Sequence, residues 1–201
     1  MKFLYIPVLL GLLLAGLSTP TRAGHAPAAP ADTLSLDELK DFGEEAKTRI
    51  RTFVDYLGII ADKNRPLTER NEAIRTALQM FKTDDVKVQV SNINTGTVNV
   101  LPLRQYLEKI KSLTYDKVEI TNFESVRLSK WEQNADGSYQ ATGIYFQEFK
   151  AWRNGIPVYN DKTTKKIDAD LRVREDPFYN EKNWMVLFGN ITVNATERVY
   201  K

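Results

Sequence analysis

With 201 residues and no cysteine, the chain has neither a disulfide framework nor a cysteine for a lipid anchor, so its stability must come from an apolar core. Its 28 Lys and Arg exceed its 26 Asp and Glu, but Lys2 and Arg22 lie in the first 23 residues, which hold no acid; the other 178 carry 26 of each sign. That balance lacks the excess of Lys and Arg on which nucleic acid or an anionic membrane surface depends, so neither is expected as a partner.

Lys2, the apolar run Phe3 to Leu17 and then Thr21-Arg22-Ala23 follow the order of a secretory signal: charge, apolar stretch, small-residue cleavage site. The run falls short of the roughly 20 residues that a spanning helix needs. Residues 1–23 are therefore expected to be a cleaved signal peptide that leaves no stable membrane span, with the mature protein exported, periplasmic or secreted. Residues 24–34, rich in Ala and Pro and without an apolar period, read as a flexible linker. His25, the only histidine, lies there and is a poor candidate for catalysis or metal binding. Residues 35–201 suffice for a single α+β domain with its own core.

Ser35 followed by Glu38 fits a capping box, and Leu39, Phe42, Ala46, Ile50, Phe53, Leu57 and Ile60 recur at steps of three and four, so a long amphipathic helix begins here. Arg49 and Tyr56 flank its apolar stripe. Lys63-Asn64-Arg65-Pro66 stops it, and a second helix is expected from Leu67 to Phe81 with Ala73, Ile74, Ala77, Leu78 and Phe81 inward. Val86, Val88 and Val90 alternate with polar residues in a short strand, a loop holds Gly96, and Val98 to Leu101 forms a further short strand. Pro102, acceptable in a first helical turn, opens a third helix to Leu113 with Leu103, Tyr106, Leu107 and Ile110 on one side.

From Lys117 the chain turns to alternating, aromatic-rich runs. Val118, Ile120, Asn122, Glu124, Val126 and Leu128 share a face if the period of two is unbroken, whereas a bulge near Asn122-Phe123 would put Phe123 inside and send Glu124 to water. Asn134-Ala135-Asp136-Gly137 is a hairpin turn. Ser138 to Trp152 carries Tyr139, Tyr145 and Phe149 on one side and Ile144, Phe146 and Trp152 on the other. A turn at Asn154-Gly155-Ile156-Pro157 leads to a strand from Thr163 to Arg174, in which Ile167, Ala169, Leu171 and Val173 alternate with charged residues. Asp176-Pro177 ends it, and Trp184 to Val193, apolar on both faces, closes the set.

Taken together, three helices of the N-terminal half should pack on a strongly curved antiparallel sheet. This order over Leu34 to Thr196, with its long first helix and its meander after the third, resembles the cone-shaped, cystatin-like fold of the nuclear transport factor 2-like superfamily. That superfamily includes ketosteroid isomerase, scytalone dehydratase and the SnoaL-like polyketide cyclases. The resemblance implies a cavity at the open end of the cone, used for catalysis by some members and only for binding by others, and an outer sheet face on which copies dimerise. The domain has no histidine for the arrangements that rely on one.

Glu124, if it points inward, would be a carboxylate with its pKa raised by lost hydration. Tyr145 on the long aromatic strand, near Glu148, is a phenol able to polarise a carbonyl, and Tyr56 and Tyr106 are candidate donors at the pocket rim. These five form the candidate ligand pocket, though core packing and a solvated rim are the commoner explanation of the same residue types. No Gly-rich phosphate loop, metal-spaced cluster or nucleophile elbow is present, so no cofactor, metal or catalytic residue is assigned. The expected function is an exported, non-catalytic domain that uses its cavity or outer sheet face for a small ligand or protein partner, with a homodimer formed through the sheet. The alternative is a lyase- or isomerase-like enzyme with a pocket carboxylate and tyrosine. A third reading, carbohydrate or envelope binding, needs Trp131, Trp152 and Tyr159 to form one exposed platform.

Overall fold

The computed structural model describes residues 33–176 and 181–199; the expected signal peptide and nearly all of the expected linker lie outside the described residues. Its elements follow as α1 (Leu36–Ala61), α2 (Leu67–Leu78), β1 (Lys87–Asn92), β2 (Thr97–Pro102), α3 (Leu103–Lys111) and β3 (Lys117–Asn122). Two short strands, β4 (Arg127–Leu128) and β5 (Glu132–Gln133), precede three long ones, β6 (Tyr139–Arg153), β7 (Ile156–Asp176) and β8 (Glu181–Arg198). The domain is α+β, with three helices against one large mixed sheet.

Ser35 caps α1 as the sequence implies: its Oγ accepts from the Glu38 amide at 3.3 Å, and the Glu38 carboxylate accepts from the Ser35 amide at 2.8 Å. The apolar stripe of α1 then buries Ile50, Phe53, Val54, Leu57 and Ile60 completely, each side chain contributing on the order of 1.5–3 kcal/mol. Leu34, counted with the linker from sequence, belongs to the core instead, and its amide donates to the Tyr139 hydroxyl at 3.1 Å. All five inward positions expected of the second helix are buried, although α2 itself ends at Leu78. The chain after α2 lies along β8 in the same direction, with Lys82 N donating to Phe188 O and Phe188 N to Met80 O, both at 2.9 Å.

The strand order is β2-β1-β8-β7-β6-β3, with β4 and β5 paired to β6. Sequence reading expected an antiparallel sheet, and this is corrected in one place: β1 runs parallel to β8. The hairpins of the C-terminal half force antiparallel neighbours, but β1 and β8 are joined through most of the domain, so no tight turn dictates their direction. Asn154 and Gly155, with φ of 51° and 72°, make the tight turn between β6 and β7. Strand β7 therefore starts at Ile156 rather than Thr163.

Three register shifts interrupt the long strands, at Ala151/Trp152 in the β6–β7 pairing and at Thr164/Lys165 and Ile167/Ala169 in the β7–β8 pairing. Each shift changes which parity of residue faces the helices, which is how Val186, Phe188 and Ile191 of β8 all become fully buried. Along β7 the inward set is Asp161, Thr163, Lys165, Ile167, Ala169 and Leu171, all buried. The three apolar members lie in the core with Ile50 and Phe53 of α1. The other three extend the same face into polar chemistry.

Candidate functional site

The polar end of the inner face is walled by β1 and α3 rather than by α1, and it encloses a hollow of about 310 Å³. Its apolar lining includes Val90, Ile110, Leu113 and Phe149; its polar lining includes Tyr106, Gln147, Tyr159, Asp161, Thr163 and Lys165. The strand ladder sets these groups side by side, because Gln147 of β6 pairs with Thr163 of β7, Phe149 with Asp161, and Tyr145 with Lys165. Helix α3 supplies Tyr106 and Ile110 from the face buried by its i, i+4 spacing.

Lys165 is only 3% exposed and Asp161 only 6%, yet the two do not close into an ion pair. Burial pushes the Lys165 amine down to about 8, with the negative charge of Asp161 opposing that fall. Its Nζ lies 5.4 Å from the centre of the Tyr106 ring and takes no hydrogen bond to another described residue. Burial pushes Asp161 upward, while the neighbouring Tyr159 hydroxyl, the charge of Lys165 and the Thr163 hydroxyl hold it down. Tyr159, pushed up to about 12 mainly by burial, also accepts from the Ile93 amide at 3.3 Å. Tyr106 and Tyr145 are both raised, first by burial, so each stays a neutral phenol.

One unsatisfied group lines the hollow and a second lies behind it. The Gln147 amide oxygen and the Tyr145 hydroxyl are buried with no hydrogen-bond partner. Such atoms cost roughly 1–3 kcal/mol each when nothing else meets them. The chemistry available is therefore an apolar chamber with one amine, one carboxyl group and several phenols that stay protonated.

Of the five residues singled out from sequence, Tyr106 lines the hollow and Tyr145 lies behind it, opposite Lys165 and close to Tyr106. Glu124 is exposed and pairs with Arg127 at 3.3 Å. The Asn122 side chain brings this about by accepting from the Phe146 amide at 3.1 Å and donating to the Glu124 carbonyl at 2.7 Å, which ends β3. Phe123 does not turn inward either; its ring meets Phe146 edge-on with Lys162 over it. Glu148 sits on the opposite sheet face, paired with Lys150 at 2.9 Å. Tyr56 is half-buried against the core and does not line the hollow. Trp131, Trp152 and Tyr159 form no common platform: Trp131 packs beside α1, and Tyr159 faces inward onto Phe149.

Sequence reading missed Asp161, Thr163 and Lys165. The signal was present, since the alternation of Ile167, Ala169 and Leu171 continued backwards lands on each of them. Among the described residues no three His, Cys, Asp or Glu side chains come together as metal ligands would. Comparison of the chain with protein-family models and with curated proteins gave no match.

Proposed function

We propose that the domain binds a small, largely apolar molecule in the hollow between α3, β1 and the inner face of β6 and β7, with one polar end held at Lys165, Asp161 and Gln147. The observation that carries this reading is the Gln147 amide oxygen, buried without a partner, on the same hollow as a Lys165 amine and an Asp161 carboxyl group that do not close into an ion pair. Buried polar groups are normally satisfied, and a buried ammonium is costly without an anion or dipole beside it, so a ligand or ordered water completes the set. The element order and the long first helix support a cone of the nuclear transport factor 2-like kind, and the leader-like residues 1–23 support export.

The test is a screen of small amphipathic molecules by saturation-transfer NMR on the native chain and on Leu113→Trp, which fills the chamber from its wall. Compounds should bind the native chain and lose binding in the variant. Binding that Leu113→Trp leaves intact, or none at all, removes this reading.

A second reading, an isomerase- or lyase-like enzyme, is favoured by one particular juxtaposition: a buried carboxyl group, Asp161, lining the same hollow as the Tyr159 phenol. A carboxylate with its pKa raised by burial has the basicity to take a proton from carbon next to a carbonyl. Deuterium exchange at that carbon in a bound ketone, lost in Asp161→Asn, would support it; exchange at the uncatalysed rate would exclude it.

A further inference from the structure

We infer that Lys165 is a nucleophilic amine that captures a carbonyl-bearing molecule in the hollow as a Schiff base. The inference rests on the ligand-pocket reading and adds the chemical class of the ligand.

Three geometric features carry it. The Lys165 side chain lines the chamber at 3% exposure, and its Nζ has no hydrogen bond among the described residues, so its lone pair is not tied up once the proton leaves. The walls nearby, Ile110, Leu113 and Phe149, accept an aliphatic or aromatic body. Asp161 lies on the same face of the same strand and lines the same hollow, where it can give and take a proton. Desolvation is the usual way a lysine becomes a nucleophile near neutral pH, and the amine here is lowered to about 8.

In the capture step the neutral amine's lone pair forms the N–C bond to the carbonyl carbon. The π pair of the C=O bond moves to oxygen, which takes the proton released by nitrogen, giving a carbinolamine. The nitrogen lone pair then forms C=N as the hydroxyl leaves; that hydroxyl takes a proton from the Asp161 carboxyl group and departs as water. The products are an iminium on Lys165, a carboxylate on Asp161, and one water. No oxidant or reductant is needed.

The test uses the full chain with benzaldehyde and sodium borohydride, which fixes any Schiff base as a secondary amine, followed by digestion and mass spectrometry of every lysine. At neutral pH Lys165 should be modified about 300-fold faster than an ordinary surface lysine, given an amine at about 8 rather than 10.5. The titratable and charged groups that face it are Asp161 and Tyr159 on β7, Tyr145 on β6, and Tyr106 and Lys109 on α3. Of these Asp161 is the one that raises the amine, so Asp161→Asn should move the onset of labelling to lower pH; an unmoved onset counts against the pairing.

Benzyl alcohol and benzoate, which cannot form an imine, are run in parallel by saturation-transfer NMR. If they occupy the hollow while Lys165 is labelled no faster than surface lysines, covalent capture is wrong and the pocket reading survives. If nothing binds and nothing is trapped, both fall. Lys165→Met should abolish the fast-labelled site and leave the surface background unchanged.

Discussion

Ile50 of α1 occupies the space that a side chain at Gly143 of β6 would take: a Cβ there would lie 2.6 Å from Ile50 Cδ1 and 2.8 Å from Ile167 Cγ2. Both isoleucines are fully buried, so neither has room to move aside. The helix can lie this close to the sheet only because residue 143 has no side chain. Gly143→Ala should therefore destabilise the fold by about 1–3 kcal/mol, the usual range for overpacking a tight core. Urea denaturation checks this, and an unchanged midpoint with an unchanged slope would refute it.

Lys165 ties stability to alkaline pH with a definite sign. Its folded pKa, about 8, lies below the ordinary 10.5, so between those values the unfolded chain binds more protons than the folded one. Stability from this group is therefore lowest below pH 8 and is regained as pH rises toward 10.5, by about 3 kcal/mol in total. Tyr106, Tyr145 and Tyr159, whose pKa values are raised, act in the opposite direction at higher pH, so the native chain alone cannot isolate the effect. The readout is the difference in unfolding free energy between the native chain and Lys165→Met. It should change in favour of the native chain from about pH 8 upward. A difference that is flat with pH would show that Lys165 is fully hydrated.

How much of this was legible depended on whether the determining contacts were local. The Ser35–Glu38 box, the stripe from Ile50 to Ile60 and the Asn154-Gly155 turn are set by residues a few positions apart, and the sequence reading identified all three. The parallel pairing of β1 with β8 joins residues about a hundred positions apart and leaves no local trace. The hollow was half legible. Tyr106 was found through its helical spacing, but Asp161, Thr163 and Lys165 look like a polar loop unless the apolar alternation that follows them is read backwards. Glu124 reaches solvent, one of the two placements that the alternation leaves open, and it does so because the side chain of Asn122, not a bulge, ends β3.

Arg70 gives a sharper test of how the helices are joined. Its guanidinium is buried and donates to two helix-end carbonyls, Ile60 O of α1 at 2.8 Å and Lys111 O of α3 at 2.5 Å. The last carbonyls of a helix have no partner within it, so one arginine satisfies two helices at once. Arg70→Met should cost about 2–4 kcal/mol, since both carbonyls are stranded. Arg70→Lys should recover less than half of that, because an ammonium cannot span two acceptors as a planar fork does. Thermal unfolding of the pair separates lost charge from lost geometry; an Arg70→Lys variant as stable as the native chain would show that the fork is unimportant.

Tyr139 fixes where α1 begins relative to the sheet. Its hydroxyl accepts from the Leu34 amide at 3.1 Å, while its ring packs against Trp184 at 5.7 Å between centroids. Tyr139→Phe keeps the ring and removes only the acceptor, leaving the Leu34 amide buried without a partner. The loss should be about 1–2 kcal/mol, and it should be concentrated at the start of α1 rather than spread through the core. Hydrogen exchange distinguishes the two: amides of Leu34 and the first turn of α1 should lose protection, while those of β6 and β7 keep theirs. Uniform loss across the sheet would mean that the hydroxyl supports the whole domain and not the helix start.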